Sequence, residues 1–446
     1  MNTHGTTHEI VVLGAGYTGM LAAIRVARRT RRSAARVTLV NPSARFTERL
    51  RMHQIAAGQE LANHHIPDLL HGSGVTFHQA AAAGIDPAAR TVTLDDGAIL
   101  HYDDLIYAIG SRTDTTRVPG VADHAWTLDD PRLARRFSVR LTEIAAHGGT
   151  VTVCGGGLTG IEAAAEIAES HPGLHVTLVS STEPGKMMGD RARAHLNRAF
   201  DRFGVRRVLG HRVAQVLPDS VRLENGEILA SDLTLWTSGV TVSPLAARAG
   251  IATDAQGLVI TDATLRSVSH PEIHAVGDAA AIRMAWGQIH GTCQSGMPTA
   301  AYAADAVARR MRGKPVRPFR FGYFHQPVSL GRKDAVIQFT KADDAPARWY
   351  LRGRAAVFYK ESVSGSPVPT FTMSKHLSAQ VQLSKGGRAT RTTAAPAPRS
   401  AAPVRDDRSA LDAGAARVAA AARDARSARD AAAPAPVDGA PARVTV

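Results

Sequence analysis

From Glu9 the chain reads EIVVLGAGYTGMLAAIRVARR: a short apolar, β-branched run, then Gly14, Gly16 and Gly19, then an Ala-rich stretch with helical periodicity. A second β-branched run, VTLV over residues 37–40, follows. The pattern predicts strand, tight turn, helix and strand. From Gly148 the sequence GGTVTVCGGGLTGIEAAAEIAE repeats it, with Gly155, Gly157 and Gly160 and a second VTLV over 176–179. Further on, each unit has alternating apolar positions around a turn signal, VTLDDGAILHYDDLIYAIG and VRLENGEILASDLTLWTSG. Asp-Gly and Asn-Gly between such runs predict hairpins. In both, the turn glycine (Gly97, Gly226) precedes a terminal glycine (Gly110, Gly239) at the same spacing. The chain therefore reads as α/β, an internal duplication of a βαβ nucleotide-binding unit, each copy carrying an inserted β-meander.

Beyond the second copy, IHAVGDAA from Ile273 predicts a strand ending at Gly277-Asp278, and MPTAAYAADAVARRM predicts a helix that starts near Pro298. Residues 315–388 contain short β-like runs and aromatics, GRAAVFYKESV from Gly353 among them, and predict a small α+β region. From Arg391 to the end the chain holds 21 Ala, six Pro and no aromatic residue, so a tail over 389–446 is expected to be disordered. The remaining boundaries are expected at 8–115 and 256–314 for the two parts of the first nucleotide-binding domain, and at 116–255 for the second.

Composition narrows the class. At about 150 residues per domain, 446 residues suit three domains. Net charge is +14, of which the tail supplies only +3 (nine Arg against six Asp), so the body itself is basic and suits anionic partners. The two cysteines, Cys154 and Cys293, stand far apart in the chain and exclude a disulfide framework, and neither a signal peptide nor a long apolar run is present. A cytoplasmic location is expected. No zinc-type ligand spacing appears.

Each glycine triplet follows a strand and opens a helix, the setting in which backbone N–H groups and a helix N-terminus meet a pyrophosphate. The acid that would then bind a ribose is missing from both copies. The first has Asn41; the second has Ser180 and Ser181, with Glu183 and Lys186 beyond. Without that carboxylate the choice between NADH and NADPH stays open.

The paired units, the YAIG and WTSG strand ends and AVGDAA resemble the two-dinucleotide flavoproteins, the pyridine-nucleotide oxidoreductases. FTERLRMHQIAAG from Phe46, GGGLTGIEAAAEI, the Pro-Thr-Ala at Pro298, SLGRKDAV from Ser329 and GRAAVFYKESV are similar to the type II NADH dehydrogenases, over roughly residues 8–365. The resemblance implies two Rossmann-like domains, one for FAD and one for NAD(P). FAD would lie on the loop of Gly14, Ala15, Gly16, Thr18 and Gly19, with Asn41, Arg49, Gly110, Gly277 and Asp278 around it. NAD(P)H would lie on Gly155, Gly157 and Gly160, with Ser180 and Gly239 beside it. Two residues would take part in catalysis: Glu162 near the nicotinamide, and Thr299 at a helix start aimed at the flavin, where a helix N-terminus stabilises negative charge. Beside these stand plainer readings: Glu162 and Glu166 as the polar face of an exposed helix, Asp278 as a helix cap, and Arg49, Arg51 and His53 as a solvated basic face.

The implied activity is hydride transfer from the nicotinamide to FAD, then two electrons to a quinone-like acceptor. The glutamines that type II dehydrogenases carry after Pro-Thr-Ala are replaced here by Ala301-Tyr302-Ala303-Ala304-Asp305, and Trp286, His290 and Gln294 form an alternative acceptor wall. Cys154 and Cys293 read as buried small hydrophobes rather than a redox pair. Peripheral membrane contact would rest mainly on basic charge, and a homodimer stays open. Two rivals remain: a reductase of a small acidic redox protein such as a ferredoxin, and a non-catalytic flavoprotein sensor with a nucleic-acid-binding surface. Specific nucleic-acid binding is not expected, because the tail has no aromatic residue to stack bases.

Overall fold

The structure, a computed structural model, describes residues 7–384 and 386–390. The expected disordered tail lies, from Arg391 onward, outside the described residues.

The first copy opens with β1 (His8–Leu13), whose last four residues are buried, and α1 (Tyr17–Thr30). It continues through β2 (Ala35–Val40), the short helix α2 (Met52–Ala56) and β3 (Val75–His78). A meander of β4 (Ala82–Asp86), β5 (Thr91–Leu94) and β6 (Ile99–His101) leads to β7 (Asp104–Tyr107). After β8 (Ser111–Thr113) and the short β9 (Ala125–Trp126), the second copy runs β10 (Thr150–Cys154), α3 (Leu158–Ser170), β11 (His175–Ser180) and β12 (Arg206–Leu209). Its meander is β13 (Val213–Val216), β14 (Ser220–Leu223) and β15 (Ile228–Ala230), closed by β16 (Leu233–Trp236). β17 (Val240–Val242) follows, and β18 (Ile273–Ala275) returns to the first sheet.

The two parallel sheets have the same strand order. It is β3-β2-β1-β7-β18 in the first and β12-β11-β10-β16-β9 in the second. In-register pairs such as Ile10↔Val37 and Val151↔Val176 alternate apolar side chains to both faces, as sheets covered on both sides require. β8 and β17, which leave the closing strands just after Gly110 and Gly239, pair with each other antiparallel and tie the copies together. The duplicated α/β reading is thus the fold observed.

Two expectations change. The helix expected to begin near Pro298 is α4 (Cys293–Arg310), which starts more than a turn earlier. Thr292 and Ser295 form a reciprocal capping box that fixes its start, and Pro298 sits inside, where it removes only the bond to the Gln294 carbonyl. GRAAVFYKESV, read among β-like runs, is the helix α5 (Gly353–Gly365). Its buried positions Ala356, Lys360 and Ser364 recur at helical spacing and form a single stripe. α5 covers the antiparallel meander of β19 (His325–Ser329), β20 (Ala335–Thr340) and β21 (Pro346–Arg352). Among the described residues no helix is long and apolar enough to cross a membrane.

Three histidines are buried in this frame. Burial pulls His53 and His325 down to about 4 and His274 down to about 3. Each is neutral in the fold, while the unfolded chain takes up protons from about pH 6.5 downward, so their stabilising contribution is present above that pH and lost below it. Thermal melts should show a falling midpoint from about pH 6.5 toward 4, worth about 3 kcal/mol per imidazole at the acid end. A His325→Gln variant should show a shallower decline; an unchanged slope contradicts the assignment.

Candidate active site

The first glycine loop is set by backbone contact. A Cβ on Gly19 would stand 1.8 Å from the Gly14 carbonyl oxygen, and one on Gly14, at φ +94°, would stand 2.5 Å from the Ala108 carbonyl oxygen. Strand, loop and helix can meet this closely only without side chains at these positions. Gly16 differs, since a Cβ there meets nothing within 4 Å and would point into open space at the start of α1. That helix has no side-chain cap, so its first N–H groups are free for a pyrophosphate. The loop is braced by Asn41, whose Oδ1 accepts from the Ala15 N–H (3.0 Å) while Nδ2 donates to the Ser43 carbonyl (2.8 Å).

The second loop repeats this geometry. A Cβ on Gly160 would lie 1.8 Å from the Gly155 carbonyl oxygen, Gly155 lies against Thr237, and Gly157 faces open space. Ser180 is buried under the loop: a Cβ on Gly156 would touch its hydroxyl, which accepts from the Thr182 N–H (3.3 Å). It shapes the loop from below, leaving Ser181, Thr182 and Glu183 as the exposed groups after β11.

Around the first loop, Thr18 Oγ1 is clamped between Gly277 and Gly296, whose Cβ positions would lie 2.9 and 2.8 Å from it. The Thr299 hydroxyl accepts from the Gly277 N–H (3.0 Å) and donates to the Gly296 carbonyl (2.6 Å), and its side chain is 1% exposed. Thr299, expected at a charge-stabilising helix start, thus links the Gly277 N–H to the Gly296 carbonyl and spends its O–H donor there. Asp278 accepts from the Ser111 hydroxyl (2.9 Å), and the Arg49 guanidinium donates to the Ser111 carbonyl and pairs with Asp129 (2.8 Å). Asp278, Ser111 and Arg49 thus meet where β8 begins.

The expected acceptor wall is structural in part. Gln294 donates to the His325 carbonyl (2.7 Å) and accepts from the Phe324 N–H (2.6 Å), pinning α4 to the C-terminal region, and His290 stacks on Tyr323. At the substituted glutamine positions, Asp305 binds Arg25 and Arg29 of α1 (both 2.8 Å) and Tyr302 donates to the Arg317 carbonyl.

Glu162 is not on a solvated face. It lies in the first turns of α3, 7% exposed, with Lys360 Nζ at 2.7 Å, the Ser329 N–H at 3.0 Å and His53 Nδ1 at 3.6 Å. Burial pushes its carboxyl up, but the Lys360 ammonium, His53 and the Ser329 N–H outweigh this and hold it below its ordinary value. One turn on, Glu166 is fully buried, bonded to Gln59 with Arg332 at 3.7 Å, and burial pushes it up to about 7. Arg332 also pairs with Glu361 (2.9 Å). Sequence reasoning missed Lys360, Glu361 and Arg332. Their charges within SLGRKDAV and GRAAVFYKESV were visible, but nothing local indicated that α5 would fold them onto α3.

Residues 8–306 match the pyridine nucleotide-disulphide oxidoreductase family. The chain belongs to this family. An NADH dehydrogenase-like protein of Mycobacterium tuberculosis is 31% identical over 351 residues, covering 74% of this chain and 87% of that protein. A demethylphylloquinone reductase of Synechocystis is 27% identical, covering 74% and 86% respectively. The solved structure of NDH2 from Plasmodium falciparum in complex with NADH shares the fold, with a TM-score of 0.70 at 15% identity over 84% of this chain and all of that one. The expected family and fold are borne out, and the protein is an oxidoreductase of the pyridine nucleotide-disulphide oxidoreductase family. Its disulphide chemistry has no counterpart here. Both cysteines are free; Cys154 is buried as expected, whereas Cys293 is only half-buried, and desolvation pushes both thiols up to about 12, away from the thiolate form.

The loop geometry separates two roles for glycine. Gly16→Ala should fold with an unchanged melting midpoint as apoprotein yet hold FAD at least ~10-fold more weakly, because its methyl enters only the ligand's space. Gly19→Ala should lose the fold around β1 and α1. Equal FAD binding by Gly16→Ala and the parent, measured by flavin fluorescence titration, contradicts this division.

Proposed function

We propose that the protein is an FAD-dependent NAD(P)H oxidoreductase that delivers two electrons to a quinone-like acceptor. The observation that carries this reading is the pair of glycine loops, each held shut by its outer glycines and open at its middle one, at the same place in two like-ordered sheets. The open faces at Gly16 and Gly157 and the uncapped starts of α1 and α3 fit two pyrophosphate groups. Gly14, Ala15, Gly16, Thr18, Gly19 and Asn41 would hold FAD, with Arg49, Gly110, Gly277 and Asp278 on its far side. Gly155, Gly157, Gly160 and Gly239 would hold NAD(P)H. FAD, when bound, supplies a ring that accepts a hydride from the nicotinamide and passes on its electrons.

Reducing a quinone to a quinol takes two electrons and two protons. The hydride brings both electrons and one proton, so one more proton enters from solvent. Glu162, just beyond Gly160, is held ionised by Lys360 and would set a fixed negative charge there, whereas Glu166, one turn on in α3 and pushed up by burial to about 7, is the buried carboxyl suited to hold that proton. The acceptor reading is supported by the quinone reductase activity in the name of the Synechocystis relative.

The decisive measurement is anaerobic stopped-flow absorbance of the flavoprotein mixed with NADH or NADPH. One nucleotide should bleach the oxidised-flavin band rapidly, and ubiquinone or menaquinone analogues should restore it. Glu166→Gln should keep its flavin and slow quinone-driven turnover at least ~10-fold. A flavin that neither nucleotide reduces overturns the reading, and reoxidation by a ferredoxin but no quinone replaces its acceptor.

Four of the five most exposed large apolar side chains among the described residues, Phe358, Trp349, Leu383 and Leu377, lie in the C-terminal region, which would face a membrane carrying a lipid-soluble quinone. Sedimentation with phosphatidylglycerol-containing vesicles should retain the parent chain and lose Phe358→Ser/Leu377→Ser. Equal sedimentation of both contradicts docking through this region.

A further inference from the structure

α4 has two ends of different character. Its capped start lies beside the first glycine loop, whereas its last turn, about 22 Å away by helical rise, borders a separate cavity of about 410 Å³. Asp262, Thr264, Arg266, His274, Arg310 and Lys314 contribute to its wall. The cavity lies toward the opposite edge of the sheet from the glycine loop. Arg310 bonds Asp104, the first residue of β7, whereas Gly14 meets Ala108, just past the end of that strand.

His274 is fully buried, and neither of its ring nitrogens has a hydrogen-bond partner in the protein. Buried polar atoms ordinarily find one. Burial, with Arg310 adding to it, keeps this imidazole neutral, so it offers one N–H donor and one acceptor. The Arg266 Nε is also buried without a partner. Among the described residues, neither Arg266 nor Lys314 forms an ion pair, whereas Arg310 is committed to Asp104 and to the Pro271 carbonyl (3.2 Å). Asp262, the acid in the wall, has Oδ1 turned onto its own loop, accepting from the Thr264 N–H (2.7 Å), the Thr264 hydroxyl (2.8 Å) and the Arg266 N–H (3.0 Å). The wall therefore presents two unpaired cations and an unbonded imidazole around a polar void.

We propose that this cavity binds a small molecule carrying a phosphate group, held by Arg266 and Lys314 with His274 bonded to it. An arginine fork alone can satisfy a planar carboxylate. A tetrahedral phosphate takes donors from several directions, as a guanidinium, an ammonium and an imidazole N–H supply them. The volume is in the range of small-molecule sites and exceeds what a bare phosphate fills, which points to a phosphate on a small organic body. The strand that carries His274 runs on directly to Gly277, so this site and the first glycine loop share one strand, β18, and one helix, α4.

The test is isothermal titration of the full-length flavoprotein with NAD⁺ present, so that both glycine loops are filled. Ribose 5-phosphate, inorganic phosphate and ribose serve as probes. Ribose 5-phosphate should bind saturably and ribose should not. Inorganic phosphate should bind more weakly; equal affinity makes free phosphate the occupant of the same site. Lys314→Ala, a change at an exposed stem that leaves the fold intact, and Arg266→Gln should each weaken binding at least ~10-fold without altering the flavin spectrum or its reduction by nicotinamide. Absence of saturable binding, or binding that neither variant weakens, overturns the proposal.

Discussion

The architecture depends on four positions where a side chain cannot exist. At Gly14 and Gly19, and again at Gly155 and Gly160, a Cβ would occupy the space of a backbone oxygen or of Thr237. These contacts bring a helix start against the end of a parallel strand. That is the one arrangement in which uncapped helix N–H groups face outward over the sheet's carboxyl edge, where open α/β sheets bind ligands. The strand order on either side of each loop, the meander that follows and the β8–β17 pair are consequences of building that junction twice and joining the copies.

A second constraint ties the C-terminal region to the second copy. Glu162 is buried, and an isolated buried carboxylate is expensive, so its position on α3 holds only while Lys360 of α5 and the Ser329 N–H of β19 reach it. Glu166, Arg332 and Glu361 extend the cluster outward. The same ion pair that keeps a carboxylate charged in the interior therefore also fixes how the antiparallel meander docks. A buried charge and a tertiary contact rest here on one pair of side chains.

The two junctions were legible in the sequence because the requirement is local. Strand, glycines and helix lie within one short stretch of chain, and each glycine's reason for being glycine is met inside or just beyond that span. The hairpins were legible for the same reason, through Gly97 and Gly226. Glu162 could be named but not its surroundings, since Lys360 comes from a distant part of the chain and a charged residue on an Ala-rich helix reads equally well as solvated. Pro298 misled because proline at a first helical turn is the commoner pattern; the true start is set by Thr292 and Ser295, a capping box with serine in place of the glutamate or glutamine that usually marks it. Thr299 could be placed on the right helix, but only the fold shows that its hydroxyl accepts from the Gly277 N–H and donates to the Gly296 carbonyl.

The duplicated loops are alike in backbone and unlike in enclosure. In the first, Ala15 and Tyr17 are buried and Thr18 is gripped by Gly277 and Gly296, so α4 and the segment after β18 close over the loop's flank. In the second, Gly157 and Thr159 are exposed, and the nearest packed side chain, Ser180, lies beneath the loop rather than beside it. The middle glycine of each loop is exposed, so a ligand on either would meet solvent there, but on the first loop it would also lie beside packed elements on one flank. Dissociation from an enclosed site is slowed by the structure that must open, whereas an exposed site exchanges as fast as its own contacts allow. The first loop, closed on one flank, would suit a resident cofactor and the second a substrate that comes and goes, in keeping with the proposed oxidoreductase that turns over one nucleotide while retaining another.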